Sequence, residues 1–158
     1  MGFMHWLRTR RQRKAAMREG REHWRQHNYQ KSIECYELAL QLDMETKGTD
    51  HPHVAEDYDN IGVAYKGMGD FDRAAECLKK AIAILESVSS NHILLPAPYN
   101  HLGIVYTELG DYDRAVECHE RALAIQRKAA GPFAGAVTRT TEVLLGAARA
   151  KQRGQRHE

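Results

Sequence analysis

Apolar and small side chains recur along this chain at intervals of three and four residues, the spacing that lines one face of an α-helix. Tyr58, Ile61, Gly62 and Tyr65 form one such stripe. Tyr99, Leu102, Gly103 and Tyr106 form a second with nearly the same residues in the same order, and Phe71, Ala74, Leu78 and Ala81 make a third face. Continued through the chain, the pattern predicts an all-α protein with helices near residues 10–26, 30–47, 53–68, 71–88, 96–109, 112–130 and 135–152.

The helical faces are copies of one another. Asp70-Phe-Asp-Arg-Ala-Ala-Glu-Cys-Leu-Lys-Lys-Ala-Ile82 recurs 41 residues later as Asp111-Tyr-Asp-Arg-Ala-Val-Glu-Cys-His-Glu-Arg-Ala-Leu123, with seven of thirteen positions identical. A third copy starts 42 residues earlier, at Asn28. Each unit therefore reads as two helices, and a repeat of this length predicts stacked helix pairs with a continuous core. Glycine inside a helix costs about 1 kcal/mol relative to alanine, so its return at 20, 62 and 103 implies close contact between helices. The Gly-Asp pairs at 69–70 and 110–111 supply a helix stop and a cap for the next helix.

These residues carry a family resemblance. Ile61-Gly62, Tyr65, Gly69-Asp70-Phe71, Ala74 and Ala81, matched by Leu102-Gly103, Tyr106, Gly110-Asp111-Tyr112, Ala115 and Ala122, resemble the tetratricopeptide repeat pattern. The first unit departs from it, with Glu19 before Gly20, His23 for the tyrosine and Ser32 for the first alanine. The period of 41 to 42 and the segment Gly48-Thr-Asp-His-Pro-His-Val-Ala55 are similar to the long repeats of kinesin light chains and nephrocystin-like proteins. The resemblance implies a right-handed superhelical solenoid of three repeats (13–50, 51–93 and 94–133), preceded by a basic leader over 1–12. Residues 134–152 are expected to be a capping helix or an incomplete fourth repeat, and 153–158 a polar tail.

In this family the first helix of each repeat lines an inner wall that takes extended peptides. The matching positions are Lys14, Met17, Arg21, Trp24 and Arg25; Glu56, Asp59, Asn60, Val63 and Lys66; and Asn100, His101, Ile104, Thr107 and Glu108. Arg21 and Arg25 suit acidic groups, Asn60 and Asn100 suit a peptide backbone, and Trp24 or Ile104 suits an apolar anchor. Of the five places that chaperone-binding members use to clamp a terminal carboxylate, only Asn60 is retained; the others are Met17, Arg21, Ala97 and His101. The set is closer to that of kinesin light chains, which grip acidic, tryptophan-centred peptides. The expected function is thus a non-catalytic adaptor for an extended segment, an acidic one where the kinesin light chain resemblance holds, with a self-assembling structural module, using the convex face or the ends, as the alternative.

Composition narrows this further. At 158 residues the chain is too short for a large multidomain enzyme, and 12 Gly and 4 Pro do not suit a linker or collagen. The net charge of +2 conceals three blocks: eight Lys/Arg against two Glu in 1–27, ten against seventeen acids in 28–138, and five against two in 139–158. Basic ends of this kind suit nucleic acid, anionic lipid, an acidic partner or the acidic middle of the chain itself. The leader, with five basic residues between Arg8 and Lys14, also resembles a nuclear or nucleic-acid patch or a presequence, although a helical or frayed leader covering the first repeat, with Trp6 and Leu7 packed on it, is the expectation. Cys35, Cys77 and Cys118 occupy the same place in successive repeats and read as packing residues, and His23 and His27 alone make no metal site. No phosphate loop, nucleophile elbow or catalytic triad pattern appears, so no catalysis, cofactor or metal is expected. The expected partner is a protein or peptide rather than nucleic acid, a second copy is a further candidate, and a cytoplasmic location is expected.

Overall fold

The computed structural model describes residues 2–131 and 134–156. Among these every regular element is helical: α1 (Gly2–Arg25), α2 (Tyr29–Lys47), α3 (Pro52–Met68), α4 (Phe71–Val88), α5 (Pro96–Glu108), α6 (Tyr112–Ala130) and α7 (Ala134–Gln155). The chain forms two compact units that meet between Ile84 and Leu85, within α4.

In the first unit α2 packs against α1 on one side and α3 on the other. Its core joins Ala16 and Met17 to Ile33, Tyr36 and Ala39 and to Ile61 and Ala64, with Leu40, Tyr65 and Cys77 at its edge. The mid-helix glycines make this packing close. A Cβ on Gly20 would lie 2.6 Å from the Tyr36 ring, and one on Gly62 would lie 2.8 Å from Leu78 Cγ. Ser32, the departure from alanine in this repeat, is buried, and its hydroxyl donates to the Gly20 carbonyl at 2.8 Å. The first turn lacks the glycine of the others, so His27 itself takes a positive φ of 58°, with Nδ1 2.8 Å from the Tyr29 hydroxyl. At the next turn Gly69 stands in the left-handed region, and the Asp70 carboxylate accepts from the Arg73 N–H at 3.1 Å.

The second unit repeats these devices. α6 lies between α5 and α7. Gly110 has φ 78°, Asp111 caps α6 by accepting from the Arg114 N–H at 3.1 Å, and a Cβ on Gly103 would lie 2.6 Å from the His119 ring.

α1 differs from expectation at its start, which lies near residue 2 rather than 10. No glycine, proline or cap interrupts the chain between Phe3 and Arg18, and Leu, Arg, Gln, Lys and Ala are strong helix formers, so the helix continues through the basic segment without a break at residue 12. Trp6 is 46% exposed beneath the Arg10 guanidinium, and Leu7 is half-buried.

Candidate functional site

The first unit holds a cationic cleft. Arg11, Lys14, Arg18 and Arg21 follow one another at three- or four-residue steps and so share a face over about 15 Å of α1. None of the four has an acid partner among the described residues. With Arg13, Ala15, Met17 and the single acid Glu56 of α3 they line an open cleft of about 600 Å³.

Arg13 belongs both to this cleft and to the interior. Its Nε donates to Asp43 of α2, while Nη2 lies 3.4 Å from Asp57 Oδ1 and 4.0 Å from Glu56 Oε2. Lys47 approaches Asp43 Oδ1 at 2.8 Å and His53 Nδ1 at 2.5 Å, and His53 lies 3.7 Å from Asp43. Asp43 and Asp57 are both buried, and among the described residues Oδ2 of Asp57 has no hydrogen-bond partner. Two carboxyls that share one guanidinium do not both ionise easily. Burial pushes Asp43 upward, but the hydrogen bonds from Lys47 and Arg13 outweigh it and hold this carboxyl below its usual range. Asp57 lies at the longer distance from Arg13, and burial outweighs that cation; reinforced by the neighbouring Asp43 carboxyl and by Glu56, it pushes Asp57 up to about 8. Burial, with Lys47 and Arg13 beside it, also lowers His53.

Of the residues picked from the sequence, Lys14, Arg21, Trp24 and Arg25 are exposed on α1, and Arg25 is engaged by Glu22 at 3.2 Å. Asp59, Asn60 and Lys66 are half-buried on α3, where Asn60 Nδ2 donates to the Glu56 carbonyl at 2.8 Å. In the second unit Glu108 is exposed, while His101 and Ile104 are half-buried on α5. The Asn100 amide bridges helices: Oδ1 lies 3.0 Å from His119 Nδ1, and Nδ2 donates to Thr141 of α7 at 2.7 Å. Burial lowers His119 to about 4, so its ring is neutral there.

Arg13, Asp43 and Asp57 were not singled out from the sequence. Their signal was a charge on an apolar stripe: Asp57 falls between Val54 and Ile61 on one face of α3, and Asp43 follows Tyr36 and Ala39 on α2. Among the described residues no three His, Cys, Asp or Glu side chains gather as a metal site.

Two family models described as tetratricopeptide repeat match residues 15–87 and 99–133, together well over half of the chain. The chain belongs to the tetratricopeptide repeat family. Its fold class is accordingly the all-α helical-repeat solenoid. BtubC from P. vanneervenii is similar at 27% identity and a TM-score of 0.78, over 89% of this chain and 56% of that one. The chain therefore spans little more than half of that protein. A kinesin light chain-like repeat protein from P. anserina is 24% identical, with a TM-score of 0.73, over 92% of this chain and 67% of that one. The yeast Sti1 TPR2B domain, in a structure of its pHsp70 complex, is 18% identical, with a TM-score of 0.69, over 89% of this chain and 98% of that one. No curated protein matches the sequence. Among the described residues no helix is long and apolar enough to cross a membrane.

Proposed function

We propose that this tetratricopeptide repeat protein is a non-catalytic adaptor that binds an extended, acidic peptide segment along the first helices of its repeats. The observation that carries this reading is the row Arg11, Lys14, Arg18 and Arg21 on α1, unpaired and facing an open cleft with one acid in it. Charge-assisted hydrogen bonds from arginine to carboxylate give such a row its affinity, and the neighbouring Trp24, 41% exposed, offers an apolar anchor. Asn60 and Lys66 on α3 extend the surface within the first unit. In the second unit the sequence-matched positions on α5 are His101, Ile104 and Glu108, and Asn100 holds α5 to α7. The Sti1 domain, seen with pHsp70, supports a peptide-binding use of the fold.

The same reading makes α7 a cap. Aligning Gly146 with Gly62 and Gly103 puts Glu142 and Arg149 where α3 has Tyr58 and Tyr65 and α5 has Tyr99 and Tyr106. Both are paired to α6, Glu142 with Arg127 at 3.1 Å and Arg149 with Glu120 at 2.6 Å, which supports a polar closing face.

The adaptor reading is tested by capturing partners on the purified chain and on Arg21→Glu/Asn60→Ala, with helicity compared by circular dichroism. Partners lost only by the variant are the expected result. Partners retained by an equally helical variant would transfer the interaction to the convex face or the ends.

A further inference from the structure

We propose that the α1–α3 cleft binds its acidic ligand together with a proton on Asp57, so that a buried carboxyl behind the cleft sets the affinity according to pH. This rests on the adaptor reading and goes beyond it, because Asp57 is buried and not among the residues that line the cleft.

The geometry is particular to one joint of the repeat array. Arg13, Asp43 and Asp57 each interrupt an apolar stripe, and one repeat further on the matching positions are Ala55, Leu85 and Pro98. The three charged positions of this cluster are thus apolar positions in the sequence one repeat further on. The cluster stands next to the ligand surface, since Arg13 and Glu56 line the cleft while Arg13 also reaches both buried aspartates.

The charged groups around Asp57 are Arg13 from α1, Asp43 and Lys47 from α2, and Glu56 and His53 from α3, with Arg11, Lys14, Arg18 and Arg21 in the cleft. With Asp57 protonated, Arg13 and Lys47 balance Asp43 and Glu56, and the four cleft cations act undiminished. Ionised, Asp57 adds a negative charge in a poorly solvated site, draws on Arg13 and repels an acidic ligand. Linkage makes the effect reciprocal: a bound anion raises the proton affinity of Asp57 by the factor that the proton raises the affinity for the anion. The raised value of Asp57, about 8, places the change between pH 7 and 9. There a polyglutamate ligand keeps its charge, and the lowered His53 is neutral.

The probe is fluorescein-labelled deca-glutamate, followed by anisotropy at constant ionic strength. Its affinity for the wild-type chain is expected to fall about tenfold from pH 7 to pH 9, a coupling of ordinary size. Asp57→Asn should bind at pH 9 as the wild type does at pH 7, without a slope, and Arg11→Glu/Arg18→Glu should bind weakly throughout. Titration calorimetry at pH 8 in two buffers of different ionisation enthalpy should show net proton uptake by the wild type with its N-terminal amine acetylated, since that amine also titrates near pH 8, and this readout stands if Asp57→Asn does not fold. Binding without slope or uptake would overturn the proton linkage and leave the adaptor reading standing. Failure of the wild type to bind, or undiminished binding by Arg11→Glu/Arg18→Glu, would overturn the cleft itself. Tighter binding of a ten-residue oligo-thymidylate, lost in that double variant, would replace the acidic peptide with a nucleic acid.

Discussion

Gly146 can be aligned in sequence with Gly62, yet substitution should act on the two in opposite directions. A Cβ at Gly62 would meet Leu78 Cγ at 2.8 Å and the Ala74 carbonyl at 3.2 Å, and the backbone atom cannot swing away. Gly62→Ala is expected to destabilise the fold by about 1–3 kcal/mol, the usual penalty of overpacking. Around Gly146 there is open space, so Gly146→Ala should gain up to about 1 kcal/mol of helix propensity. Urea denaturation of the two variants checks both signs. His119 offers a second test at this scale. Its folded value, about 4, lies below that of an unfolded histidine, so the unfolded chain binds the extra proton and stability drains away as pH falls from about 6.5 towards 4. His119→Leu, which copies the Leu78 on Gly62 arrangement, should flatten this part of the stability profile; an unchanged profile would assign the acid sensitivity to other groups. The glycine contacts were legible from recurrence alone. The neutral state of His119 was not, because it depends on burial between Gly103 and Asn100 that no local pattern encodes.

At the scale of elements, the turns and second helices follow directly from local chemistry. Gly69-Asp70 and Gly110-Asp111 stop one helix and cap the next through the Arg73 and Arg114 N–H groups, as their sequence implies. α1 is longer than its repeat pattern suggested because the apolar period ends while helix-forming residues continue. α7 is the element whose role turns on two side chains. Glu142→Tyr/Arg149→Tyr restores the aromatic stripe of α3 and α5 and breaks two ion pairs to α6. These pairs are exposed, so their loss should alter stability by no more than about 1 kcal/mol each. The new apolar face is expected to increase concentration-dependent association in sedimentation velocity. A variant that sediments as the wild type does at every concentration would argue against α7 as a polar cap.

Across the whole molecule, the three charge blocks resolve into two different uses. Cations of the last block meet acids of the middle one, Arg149 at Glu120 and Arg156 3.2 Å from Asp113. Among the described residues, the first block keeps its row on α1 unpaired and turns only Arg13 inward. Exposed charges of this kind are screened as salt rises, so affinity for deca-glutamate should drop at least tenfold between about 0.05 and 0.5 M salt. Equal affinity at both concentrations, measured by anisotropy, would point to apolar contacts at Trp24 instead. The sequence by itself determined the repeat, its helices, their glycine contacts and their caps, since each depends on residues a few places apart or on copies one period away. Only the tertiary structure decided that Arg13, Asp43 and Asp57 meet, because the 30 and 44 residues that separate the arginine from its two acids place these charges on three different helices. It also decided which cations remain unpaired, and so where an acidic ligand finds its charge.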